Sequence, residues 1–367
     1  QQRLCKVDTI VLGMGFVMTP EEAQALIEKD PRNRDVLFPY LNGEDLNSRP
    51  DQSPSRWVIN FKDWPLDRET APEGYDGPVA ADYPDCLEIV RTKVKPERDK
   101  LANGNDTARD RARRWWQFAR PSIAVYTAIG GTERVLMRAR VANTHSVAFI
   151  DARMVCSEQT VVFASESPGL LAILQSCFHE RWTREYASSM RTDTRYTPSD
   201  CFETFPFAPE SAALLDIGTR FEQARGASCS EHSFGLTKLD GLVSDRSCTA
   251  PDIERLRGLR CELDQAVALA YGWSDLDLGH GFHETKQGVR FTISEPARRE
   301  VLARLLKLNH ERYAEEVKQG LHEKKPGKKA AVKAPKAKPE RKQKRVEAPA
   351  LFDLEAVAGG PRRKGFA

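Results

Sequence analysis

Residues 188–209, SSMRTDTRYTPSDCFETFPFAP, constrain the fold more than any other stretch. Phe202, Phe205 and Phe207 form an aromatic cluster broken by Pro206, which cannot continue a helix or a central strand. Upstream of it the texture is largely β; downstream of Pro209 it is helical. The stretch therefore reads as the seam between two differently built halves. Its first part is polar, followed by the turn signal Thr197-Pro198-Ser199-Asp200. In an extended segment alternate side chains share a face, so Arg191, Asp193 and Arg195 would lie together, with Thr194 between them. Arg reads guanine edges and Asp accepts from cytosine N4, so this pattern suits base reading. On residue types alone a solvated hairpin arm with an internal ion pair comes ahead of that.

Along the chain, Thr9–Leu12 and then the runs 123–126, 134–137, 147–150 and 160–163 read as short strands. Segment 36–61 reads as strand, turn at Asn42-Gly43, strand. Gly13-Met14-Gly15 reads as a strand-to-helix turn, because a lone GxG is a weak phosphate-loop signal. Thr19, Pro20 and Glu22 form a capping box that opens a helix ending before Pro31. Amphipathic spacing predicts further helices over 84–101, from Ser167 or Pro168 to Trp182, over 212–224, over 252–271 and after Ser294. Residues 226–251 read as a loop.

Charge is concentrated. Residues 91–140 hold thirteen Lys/Arg against five acids, and 321–346 hold eleven against two, although the whole chain is only +3. Two basic blocks on an otherwise acidic chain favour local contact with a polyanion. Within the first block, RDRARRWWQFAR sets Arg109, Arg111, Arg113, Arg114 and Arg120 around Trp115, Trp116 and Phe118. That composition suits a phosphate-tracking, base-stacking surface. It also suits a helix with a buried Trp face and a wet Arg face. The second block is Lys/Pro/Ala-rich, cannot bury a core, and is expected to be disordered.

The eight cysteines show no CxxC pair or zinc spacing, which implies reduced thiols in a cytoplasmic protein. No apolar run reaches membrane-spanning length. His280, His283 and Glu284 lack the HExxH spacing, and no metal is expected there. His145, just before a strand, reads as a satisfied core histidine ahead of a catalytic base.

Several separated motifs resemble one family. RYTPSDCFETFPF (195–207), PYLNGEDLNS (39–48) with WVINF (57–61), FGLTK (234–238), AVALAYGWSDLDLGH (266–280), RFTIS (290–294) and LLKLNHERYAEEV (305–317) are similar to the target-recognition and C-terminal helical parts of MmeI-like type IIL/IIG restriction–modification methyltransferases. One departure is LDGLVSDRSC (239–248), where that family usually continues with a TYNRFHDP-like segment. The resemblance implies double-stranded DNA as partner, and S-adenosyl-L-methionine and adenine-N6 methylation as the parent enzyme's chemistry. The chain itself shows no complete SAM loop, no NPPY-type loop and no nuclease signature, and Gln1 is an unusual start. The expectation is therefore a fragment or split specificity part, without catalytic or cofactor-binding residues, that works with a methyltransferase catalytic domain. Non-catalytic methyltransferase-binding subunit and divergent active methyltransferase remain the alternatives.

The expected architecture is α+β: a mixed-sheet recognition domain over 1–208 with flanking helices, a mainly helical domain over 209–321, and a basic tail over 322–367. The base readers are expected at Arg191, Asp193, Thr194 and Arg195, and the phosphate contacts at Arg109, Arg111, Arg113, Arg114 and Arg120.

Overall fold

The computed structural model describes residues 5–7, 9–190 and 193–321. The expected tail and Arg191 lie outside the described residues. The fold is α+β, with two four-stranded sheets, one three-stranded sheet and a hairpin set among helices. Residues 1–319 cluster as one compact unit.

The central sheet runs in the order Cys5–Val7, Thr160–Phe163, Arg134–Ala139, Ala148–Asp151, all antiparallel. Both of its faces are buried, which explains why its strands are almost continuously apolar. Val135, Met137, Ile150 and Val162 face a core shared with the helices Pro168–Gln175, Ala212–His232 and Pro251–Ala270. Leu136, Val161 and Phe163 face the other way, onto Tyr196 and Phe202. The aromatic cluster is thus a plug: Phe205 is 4% exposed and its ring meets His179, Trp182 and Phe207.

A second sheet, Val17–Met18, Arg56–Ile59, Leu37–Leu41, Val155–Cys156, has its own core. Its last pairing is parallel, the rest antiparallel. The helix Pro20–Lys29 carries the expected capping box, with Glu22 accepting from the Thr19 N–H at 2.8 Å and Thr19 accepting from the Glu22 N–H at 3.2 Å. Trp115, Trp116 and Phe118 belong to this core, so the base-stacking reading of those rings is excluded.

Several local expectations are corrected. Asn42 caps a short helix, Gly43–Ser48, by accepting from the Glu44 and Asp45 N–H groups, so Asn42-Gly43 is not a hairpin turn. Residues 13–16 hold a short 3-10 turn leading into a strand, not into a helix. Ile123–Ile129 is helical: Val125 and Ile129, four residues apart, are buried, and that spacing overrides β propensity. The strand expected at Thr9–Leu12 reduces to bridges from Thr9 to Ser157 and Ile10 to Arg120. Residues 226–251 are largely helical, because the long helix continues to His232 and Leu236–Val243 forms another.

Gly218 lies where the helix Ala212–His232 crosses Pro168, and a Cβ there would sit 1.9 Å from the Pro168 carbonyl oxygen. Alanine in a helix interior normally gains about 1 kcal/mol over glycine. Here a backbone clash opposes it, so Gly218→Ala should destabilise by about 1–3 kcal/mol. Gly226→Ala in the same helix, with nothing within 4 Å, should be neutral or stabilising. Denaturant midpoints of the two variants check this contrast.

Candidate nucleic-acid interface

Asp193–Arg195 forms the middle strand of the three-stranded sheet, between Ser188–Met190 and Val141–Ala142. The expected extended conformation is therefore present over this part. In the register, Arg195 stands opposite Ser188 on one side and Val141 on the other. Asp193 and Thr194 are half-buried and Arg195 is exposed.

The strand is anchored at its end. Tyr196 is fully buried, and its N–H donates to the Arg140 carbonyl at 2.7 Å. Its hydroxyl lies 3.3 Å from His179 Nε2, and the Arg138 guanidinium stacks 4.4 Å from its ring. Arg138 donates to His145 Nδ1 at 3.0 Å, which leaves His145 Nε2–H to donate to the Leu174 carbonyl at 2.8 Å. Burial, then the nearby arginine charge, holds the His145 pKa well below the ordinary histidine value. His145 is thus a satisfied core histidine. From below, Arg184 of the helix Cys177–Tyr186 donates to Glu180 at 2.7 Å and to the Asn143 carbonyl at 3.1 Å, and lies 3.5 Å from Thr194 Oγ1.

Asp193 and Thr194 line a cleft of about 850 Å³ whose opposite wall is the hairpin of Gly281–Thr285 and Gly288–Thr292. Most of the cleft's charges neutralise one another: Arg181 pairs with Glu185 at 2.8 Å, Arg260 with Asp240 at 2.6 Å, and Arg298 with Glu295 at 2.9 Å. Lys286, exposed at the hairpin tip, has no ion pair among the described residues. His280 donates to the buried Asp264 Oδ2 at 2.9 Å, while Asp264 Oδ1 accepts from the Cys177 N–H at 2.8 Å. His283 lies 2.9 Å from the Gly279 carbonyl, so both histidines bond within the fold. Among the described residues, no group of three or more His, Cys, Asp or Glu side chains could hold a metal ion, and no helix is long and apolar enough to cross a membrane.

The other candidates sit on or after the helix Asp106–Arg113. Arg109 pairs with Asp106, and Asp110 accepts from both Arg113, at 2.7 Å, and Arg114. Arg111 is partly buried, and its Nε has no hydrogen-bond partner among the described residues. Arg120 is exposed and bridges through its backbone to Ile10. Sequence reading missed two relevant arginines. Arg98 is buried and donates to the Leu12 carbonyl at 2.9 Å and the Val11 carbonyl at 3.1 Å. Arg140 lies between the strands Arg134–Ala139 and Val141–Ala142. Hydropathy carries no signal for either, since both are placed by tertiary pairing.

Residues 81–209 match the family described as MmeI, target recognition domain. This segment is an MmeI-like target recognition domain. No curated protein matches the chain. Among solved structures, the type IIL restriction–modification enzyme MmeI in complex with DNA superposes with a TM-score of 0.58 at 17% identity, over 86% of this chain and 36% of that one. The present chain therefore spans about a third of that protein's length, and at this identity the likeness speaks to fold. The type IIG restriction endonuclease BpuSI reaches a TM-score of 0.36 at 12% identity, over 75% of this chain and 31% of that one, too weak to bear on the fold. The recognition domain includes the Asp106–Arg113 helix and the three-stranded sheet, but the cleft's far wall lies outside it.

Burial alone would lower the His280 pKa, but bonding to Asp264 and Cys261 raises it to about 10. A raised folded-state value means the stabilisation is complete below the unfolded value near 6.5 and is lost as pH rises toward 10. His280→Gln should cost on the order of 3 kcal/mol at pH 6. That deficit should shrink steadily between pH 7 and 10, as read from paired melting curves. A gap independent of pH would show that the ion pair does not carry the stabilisation.

Proposed function

We propose that this chain is the sequence-reading part of a restriction–modification enzyme. In that reading, Asp193, Thr194 and Arg195 present side chains to base edges of double-stranded DNA, each good contact contributing roughly 1–3 kcal/mol of discrimination. The observation carrying this is that Asp193–Arg195 is a strand pinned by the buried Tyr196, inside the segment that matches the recognition-domain family. Arg109, Arg111, Arg113, Arg114 and Arg120 supply phosphate contacts that set register. The ion pairs of Arg109, Arg113 and Arg114 with Asp106 and Asp110 are surface pairs of about 0–1 kcal/mol, weak enough for phosphate oxygens to displace.

The parent chemistry in this reading is methyl transfer from S-adenosyl-L-methionine to the N6 of a flipped adenine, supplied by a methyltransferase domain outside this chain. This chain contributes target choice. The basic residues 322–346 add sequence-independent, salt-sensitive affinity.

Selection from a randomised duplex pool, at two salt concentrations, tests the proposal. The expected result is an enriched motif of a few base pairs. Asp193→Ala or Arg195→Ala should relax or change one motif position, whereas Arg113→Ala and Arg114→Ala should weaken all sequences alike. A uniform loss from Arg195→Ala at every position would overturn its base-reading role.

A further inference from the structure

Three cations from distant parts of the sequence meet beside the reading strand. Arg140 follows the strand Arg134–Ala139; its N–H donates to the Gln159 carbonyl and its own carbonyl accepts from the Tyr196 N–H, both at 2.7 Å. These bonds fix Arg140 against the end of the reading strand, where Arg195 pairs opposite Val141. Arg120 reaches the same region through its bridge to Ile10, whose neighbour Thr9 bridges Ser157. Arg140 and Arg195 have no ion pair among the described residues, and the buried Arg140 Nε has no hydrogen-bond partner among them. This contrasts with Arg109, Arg113 and Arg114, each satisfied by a carboxylate of its own helix.

Such a grouping is costly as it stands. Burial first, then the charges of Arg195 and Arg120, lowers the Arg140 pKa, and Glu158 offsets only part of this. Like charges held together by backbone pairing favour an anion beside Arg140. A planar guanidinium with an unused donor suits phosphate oxygens.

We infer that Arg140, flanked by Arg120 and Arg195, binds a backbone phosphate of the duplex immediately beside the base that the reading strand contacts. The inference rests on the DNA-reading proposal and extends it to a residue outside the basic helix. Arg140 then sets the distance between the sugar–phosphate backbone and Asp193–Arg195, so that the side chains meet base edges in register.

Duplex binding by the full chain, measured across a salt series, tests this. For each phosphate contact removed, the slope of log K against log salt should fall by about 0.9. Arg140→Gln is expected to reduce the slope by about that amount and to weaken all sequences equally. Arg140→Lys, which keeps the charge, should keep the wild-type slope, and circular dichroism melts of both variants show whether they fold. A wild-type slope in folded Arg140→Gln overturns the inference while leaving base reading intact. If Arg140→Gln does not fold, Arg140→Met, which keeps the stem and removes the charge, takes its place: a wild-type slope in the folded Met variant overturns the inference, and a reduced slope supports it. Wild-type protein that binds no duplex overturns the reading on which the inference rests.

Discussion

The strand Arg134–Ala139 and the residue after it organise the molecule through two-residue alternation. Odd positions Val135 and Met137 enter the core shared with the C-terminal helices. Even positions turn to the other side: Leu136 packs on the aromatic plug, Arg138 stacks on Tyr196, and Arg140 reaches the surface beside Arg195. One strand thus couples the helical core to the three-stranded sheet. A buried arginine on such a strand is tolerated because His145 Nδ1 accepts a hydrogen bond from it and the Tyr196 ring covers its face.

A second joint lies at Asp264. Its two carboxylate oxygens hold the first N–H of the helix Cys177–Tyr186 and the ring of His280. That helix supports the three-stranded sheet through Arg184, and His280 leads into the hairpin that also lines the cleft. Asp264 thus adds a charged tie between the helical side and the recognition domain, beside the shared apolar core and the Arg134–Glu222 pair. Its placement at a helix N-terminus is favourable to begin with, since unpaired N–H groups and the helix dipole attract an anion.

Much of this was legible in the residues. The capping box at Thr19, the long helix starting at Pro251 and the paired strands follow from short-range chemistry. The family resemblance, read from RYTPSDCFETFPF, falls within the segment that the family match covers. Errors fell where tertiary contacts override local pattern. Ile123-Ala124-Val125-Tyr126 has strand propensity but buries its residues at helical spacing. The helix Leu236–Val243 was hidden by the short length of its apolar face, Leu236, Leu239 and Val243. Arg140, Arg120 and Arg195 converge only because strands distant in sequence pair, which no window along the chain reveals.

The anchoring of Tyr196 has an evolutionary corollary. The phase of the strand Asp193–Arg195 is set from its C-terminal side, by a ring fixed among His179, Phe163 and Arg138. Point substitutions at 193–195 exchange surface chemistry while each side chain keeps its face. A one-residue insertion between Arg195 and Tyr196 would turn every upstream side chain of the strand to the opposite face. Lineages carrying this scaffold can diversify cheaply by replacement here, whereas changes in length at the same place should be purged.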